Sequence, residues 1–151
     1  MKKEKKDLLL KDLCGRLPYY TLVYLSNTME GFDSELSTAE IEFLINNEYM
    51  VKPYLFPLSN ITEEQKKDLL LTVVGKEGLK LFSVTKDGIV SNDKSEQSLY
   101  NFSFNNVEFS NDTTEAYIDW LNKNHFDYRG LIDKGLAIDA TGLNIYKEET
   151  K

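Results

Sequence analysis

The chain is poor in the residues that build metal and redox sites. It has one cysteine, Cys14, and one histidine, His125. A single thiol permits no internal disulfide. One Cys and one His, far apart in sequence, do not make the clustered ligand set that zinc requires. Glycines 75, 78, 130, 135 and 142 never fall into the GxGxxG or P-loop spacing that cradles phosphate. Glu63-Glu64 and Glu148-Glu149 lack calcium-loop spacing and read as solvated helix-end acids. No cofactor and no metal are expected. Long apolar runs are missing too: none approaches the roughly 20 residues that cross a bilayer. The Lys-rich start, Met1–Lys6, is followed by only Leu8–Leu10 before Lys11 and Asp12. That is not the pattern of an ordinary signal peptide. The expectation is a cytoplasmic protein with no membrane partner.

What is present has the composition of a folded domain. The 151 residues are 41% hydrophobic and 28% charged, which is globular and not disordered. Eight Phe, nine Tyr and Trp120 supply large side chains for a core. One domain, 1–151, is expected, with 1–6 and 147–151 frayed. Eighteen basic and 25 acidic residues give a net charge of −7. The two halves of the chain carry similar shares, so there is no acidic tail. An acidic surface disfavours non-specific attraction to phosphates. A solvated surface is the plain reading; a basic partner, or mimicry of nucleic-acid charge, is the sharper one.

Periodicity places the elements. Leu9, Leu10 and Leu13 sit at helical spacing in 5–14, and Gly15 and Pro18 mark a stop. Tyr19–Ser26 reads as a strand and Asn27–Ser34 as a turn or loop around Gly31. Ser37-Thr38-Ala39-Glu40 has capping-box spacing before Ile41, Leu44 and Ile45. Tyr49–Leu55 reads as extended, and Pro53 and Pro57 point to a sheet edge or an early exit from the sheet. Thr62-Glu63-Glu64-Gln65 is a second capping box, opening a helix that Gly75 ends. Leu79–Thr85 and Ile89–Ser91 flank Lys86-Asp87-Gly88, a hairpin signal. Tyr100, Phe102 and Phe104 alternate as one face of a strand, and Asn105-Asn106 suggests a turn or bulge before Val107 and Phe109. A third capped helix opens at Asp112 and buries Tyr117, Trp120 and Leu121. Asp127 is placed to cap a short helix, 128–134, ended by Gly135. From Thr141 the chain reads as loose. The predicted class is α+β: an antiparallel or mixed sheet, open or barrel-like, with about four short helices packed on it.

Three blocks carry a resemblance. They are Leu8–Tyr19 (LLLKDLCGRLPY), Val51–Ser59 (VKPYLFPLS), and Ile118–Asn122 (IDWLN) with His125–Ile132 (HFDYRGLI) and Lys134–Ala137 (KGLA). In this order the chain resembles a family of small uncharacterised proteins of gut anaerobic bacteria and of their phages and prophages. The resemblance implies a bacterial or phage protein made in the cytoplasm. It brings no catalytic residues.

The densest polar-aromatic cluster is His125, Asp127, Tyr128 and Arg129. It can be read as an acid–base pair beside an anion-binding arginine. The favoured reading is a structural junction: His125 near a helix C-terminus, Asp127 as a cap, Arg129 paired with a carboxylate. These four are also the candidate interaction residues. Cys14 reads as a buried structural thiol, since only Arg16 is a close cation in sequence. The aromatic face of Tyr100, Phe102 and Phe104 could stack nucleic-acid bases, but 95–122 holds no Lys or Arg, so core packing is favoured. The leading functional expectation is a non-enzymatic accessory protein that binds another protein. Nucleic-acid binding, or acidic inhibition of a nucleic-acid enzyme, comes second. An enzyme of unfamiliar type centred on His125 comes third.

Overall fold

A computed structural model describes residues 1–85, 88–91, 102–103 and 111–146. The fold is α+β, with helices and a mixed sheet that does not close into a barrel. The chain divides into two compact units: Met1–Pro57 with His125–Lys151, and Leu58–Asn124.

The first unit contains α1 (Lys3–Arg16), β1 (Leu22–Ser26), β2 (Gly31–Glu35), α2 (Thr38–Ile45), β3 (Met50–Pro57), β7 (Phe126–Asp127) and β8 (Ile138–Asp139). β2, β1 and β3 are antiparallel neighbours. β7 and β8 both run parallel to β3 along its other side. Burial alternates along β1 and β3, so Val23, Leu25, Val51 and Leu55 point to one face. Leu9 and Leu13 of α1, Ile41 and Leu44 of α2, and Leu131 and Leu136 complete that core.

Several boundaries differ from the sequence reading. α1 starts at Lys3 and runs through Gly15 to Arg16, because Arg16 is tied back to Asp12 in the last turn. The N-terminal lysines are therefore helical, with Lys6 Nζ donating to the Ile45 carbonyl at 2.9 Å. Cys14 is exposed, not buried: the buried stripe of α1 is Leu9, Asp12, Leu13 and Arg16. The segment read as a loop around Gly31 holds a strand. Asn27 Oδ1 accepts from Met29 N and Glu30 N (2.8 and 2.9 Å) and turns β1 into β2. Pro53 is not at a sheet edge. It faces Val23 at the last pair with β1, and Tyr54 opens the pairing with β8. A residue without an N–H fits where β3 passes from one partner to the other. The short helix over 128–134 does not form. Gly130 sits at φ +68° inside it, and 131–135 is a turn.

The second unit contains a 3₁₀ turn (Leu58–Asn60), α3 (Glu63–Leu81), β4 (Phe82–Thr85), β5 (Gly88–Ser91), β6 (Phe102–Ser103) and α4 (Asn111–Lys123). Thr62 and Gln65 make the predicted reciprocal cap: Gln65 Oε1 accepts from Thr62 N, and Thr62 Oγ1 accepts from Gln65 N. Gly75, at φ +72°, breaks α3 into two helical stretches. It ends the first as read, but helix resumes and takes residues expected to be strand. β4, β5 and β6 form an antiparallel sheet, with Thr85 facing Gly88. Leu69 and Leu70 of α3 and Tyr117, Trp120 and Leu121 of α4 are buried. Trp120 Nε1 donates to Asp68 Oδ2 at 2.8 Å. Lys86-Asp87, Tyr100, Phe104, Asn105-Asn106, Val107 and Phe109 lie outside the described residues.

The capping box of α2 is complete. Ser37 Oγ accepts from Ala39 N, and Glu40 Oε2 accepts from Ser37 N at 2.8 Å. Burial alone would push the Glu40 carboxyl up. The hydrogen bonds from Ser37 and Ser34 outweigh it and hold the group below the usual carboxylate range. The predicted effect of Ser37→Ala is a loss of about 1 kcal/mol, read from the denaturant midpoint at unchanged slope. An unchanged midpoint would show that the cap adds nothing.

Candidate functional site

Asp12 and Arg16 lie one helical turn apart on the buried face of α1, and both are 0% exposed. Their pairing is a fork: Arg16 Nε donates to Asp12 Oδ2 at 2.7 Å and Nη2 to Oδ1 at 3.1 Å. Nη2 also donates to the Phe126 carbonyl at 2.8 Å. The arginine thereby holds α1 to β7. The partly exposed Arg129 brings its Nε to 3.3 Å from the same carboxylate. Both guanidinium groups lie over the Tyr128 ring, at 5.5 and 4.9 Å from its centroid, where the ring quadrupole attracts cations.

Asp127 has a different task. Its carboxylate accepts from Leu131 N and Ile132 N at 2.8 and 2.9 Å. It caps as expected, but what it caps is a turn. His125 adopts φ +62° directly after α4, and its carbonyl accepts from Phe56 N at 2.8 Å. Its ring stacks on Tyr146, centroids 3.7 Å apart and 9° from parallel. Burial, and then the nearby Arg16 charge, push the His125 pKa down to about 4. The Tyr146 hydroxyl accepts from Leu22 N and donates to the Tyr54 carbonyl, each at 2.9 Å. It ties β1 to β3 from the segment read as loose. Burial pushes this hydroxyl up, so it stays a neutral donor.

The structure thus brings His125, Asp127, Tyr128 and Arg129 into one neighbourhood of the first unit, and Asp127 and Tyr128 are buried there. Arg129 finds the carboxylate partner expected for it. The sequence reading missed Asp12, Arg16 and Tyr146. A signal for two of them existed: Leu9, Asp12, Leu13 and Arg16 follow the i, i+3, i+4, i+7 spacing of a buried stripe. Chemically, a stacked imidazole with a pKa of about 4 is a weak base at neutral pH. Among the described residues no group of three or more His, Cys, Asp or Glu side chains is placed to hold a metal ion. No described helix is long and apolar enough to cross a membrane. A cavity of about 300 Å³ in the second unit is lined by Lys66, Lys67, Leu70, Phe82 and their neighbours, and none of the four candidates lines it. Comparison with protein-family models, curated proteins and solved structures finds no match.

Removing one member of a buried ion pair strands the other, at about 3–5 kcal/mol. Asp12→Leu, which strands two guanidinium groups, is predicted to fall in that range. Adding Arg16→Met should recover part of the loss. Strictly additive costs in chemical denaturation would mean that the pair is not coupled. His125 gives a pH signature. As pH falls, the unfolded chain takes up the proton near 6.5, whereas the folded chain resists to about 4. The stabilisation is therefore complete above pH 6.5 and lost on going down to pH 4. The loss is on the order of 2 kcal/mol, discounted for the ring's partial exposure. In His125→Asn, which tolerates the same backbone, stability should stay flatter across that window; an unchanged profile would contradict the assignment.

Proposed function

We propose that this protein is a non-enzymatic accessory factor that acts by binding another protein, in the bacterial or phage setting that its sequence blocks imply. The observation that carries the reading is an exposed apolar surface on the first unit. Met29, at the tip of the β1–β2 turn, is 91% exposed, and Phe32 on β2 is 41% exposed. Phe32 and Phe43 both meet Tyr49 edge-on, at 5.5 and 5.2 Å. Tyr49 Oη in turn donates to Glu30. Exposed Met29 and Phe32, close in sequence to Glu30 and Asp33, resemble a protein contact more than a substrate pocket.

The polar cluster supports the same reading from the other side. Asp12, Arg16, Asp127 and Tyr146 are engaged in holding backbone and helices together, which leaves His125 without an evident reaction partner. Alanine at Asp127 or Tyr128 would remove buried supports, so surface changes make the cleaner test. With the full chain as bait in a host lysate, wild type is expected to retain a partner that Met29→Glu/Phe32→Glu loses at equal thermal stability. Equal recovery by both, or none by either, would count against the reading. The net charge of −7 favours a second reading, acidic inhibition of a nucleic-acid enzyme. Inhibition of a nuclease that weakens steeply with salt would move the assignment there.

A further inference from the structure

We infer that the free side of β2 is a docking edge for an extended, basic peptide segment, which adds to the sheet as a further strand. The inference rests on the protein-binding reading and names the kind of partner. Among the described residues no strand pairs with the far side of β2. The phase of its ladder is fixed by two bonds outside the strands: Leu36 N donates to Thr21 O at 2.8 Å, and Asn27 N donates to Glu30 O at 2.9 Å. With the register running from Leu22↔Glu35 to Ser26↔Gly31, Ser34 and Phe32 exchange bonds with β1. Antiparallel ladders alternate, so Gly31, Asp33 and Glu35 turn their N–H and C=O groups away from β1. All three residues are exposed. The Glu35 carbonyl takes one long contact, 3.4 Å, from Ser34 Oγ. The opposite edge of this sheet is formed by two strands of two residues each, too short to template a partner.

Charge selects the occupant. From Leu17 to Val51 the chain has six acids (Glu30, Asp33, Glu35, Glu40, Glu42 and Glu48) and no Lys, Arg or His. The acids on and beside β2 are hydrogen-bonded by tyrosines and not by cations: Tyr54 Oη donates to Asp33 at 2.7 Å, and Tyr49 Oη to Glu30 at 2.6 Å. Burial and the Asp33 hydrogen bond push the Tyr54 pKa up to about 12, so this tyrosine stays neutral. The nearest cation within the sheet, Lys52, lies on β3 opposite Tyr24, two strands in from the edge. A second copy of β2 would set carboxylate against carboxylate, which is how edge strands resist self-association. A strand with Lys or Arg beside Asp33 and Glu35 and an apolar side chain beside Phe32 meets both faces, since side chains alternate.

The test uses the full chain and a fluorescent peptide alternating lysine with valine, followed by anisotropy. Saturable binding is expected, with none to the glutamate–valine counterpart. N-methylation of the lysine peptide at alternate residues keeps its charge but removes the ladder. It should weaken binding about tenfold or more. Glu35→Pro deletes one outward N–H at a position where proline is tolerated, and should weaken binding likewise without lowering the melting temperature. Equal binding of the methylated peptide, wild-type affinity in Glu35→Pro, or no binding at all would overturn the inference. So would a dimer seen in sedimentation that Glu35→Pro dissolves, which would assign the edge to a second copy. If a lysate partner is lost with the Met29/Phe32 variant but retained by Glu35→Pro, the docking edge fails while the protein-binding reading stands.

Discussion

Two guanidinium groups share one buried carboxylate in this protein, and the first unit is organised around that economy of charge. Withdrawing Asp12 and Arg16 from water costs several kcal/mol per ion. Only close geometry offsets such a cost, and here it is supplied by a two-bond fork, a backbone carbonyl and an aromatic ring. Arg16 comes from the first helix, whereas Phe126, Tyr128 and Arg129 come from the far end of the chain. Neither end reaches its observed arrangement without the other. The turn closed by Asp127 and the Tyr146 bridge between β1 and β3 extend the same logic: side chains from the C-terminal segment satisfy backbone that would otherwise be stranded.

This spending of polar groups on structure bears on function. Asp12, Arg16 and Asp127, which would look catalytic in a list of residues, hold backbone and one another, and the His125 imidazole is held neutral by burial beside a cation. The backbone groups that face outward lie along β2, where the docking edge is proposed. The acids that surround it set limits on what can approach. Carboxylates on an edge strand repel another acidic chain and attract a basic one.

Local chemistry was legible in the sequence. The Ser37/Glu40 and Thr62/Gln65 caps formed as their spacing predicted, and so did the Tyr117, Trp120 and Leu121 face, because each is decided within a turn or two of helix. Readings failed where a distant partner decides. Asp12 sits among the charges between the leucines, and Arg16 lies past the stop expected at Gly15, so neither shows in sequence the partner that buries it. Gly31–Glu35 has little strand propensity and becomes a strand by pairing with β1. Pro53 and Pro57 pointed to an edge or an early exit from the sheet because proline cannot donate to a ladder; β3 instead changes partners after Pro53. Gly130, in a left-handed conformation, prevented the helix that Asp127 seemed to announce. Of the candidate site, His125, Asp127, Tyr128 and Arg129 were legible as a local cluster, whereas Tyr146 and the pair on α1 depend on partners distant in sequence.

The pairing of Phe56 with Phe126 and of Pro57 with Asp127 has a consequence for how such a chain is put together. The excursion from Leu58 to Asn124 leaves the sheet and rejoins it on neighbouring strands, about 5 Å apart. An insertion whose two stems are that close puts little constraint on what fills it. The intervening cassette can change in length or content over evolution while the host sheet keeps its register, and a short graft across the stems is a natural starting point for redesign.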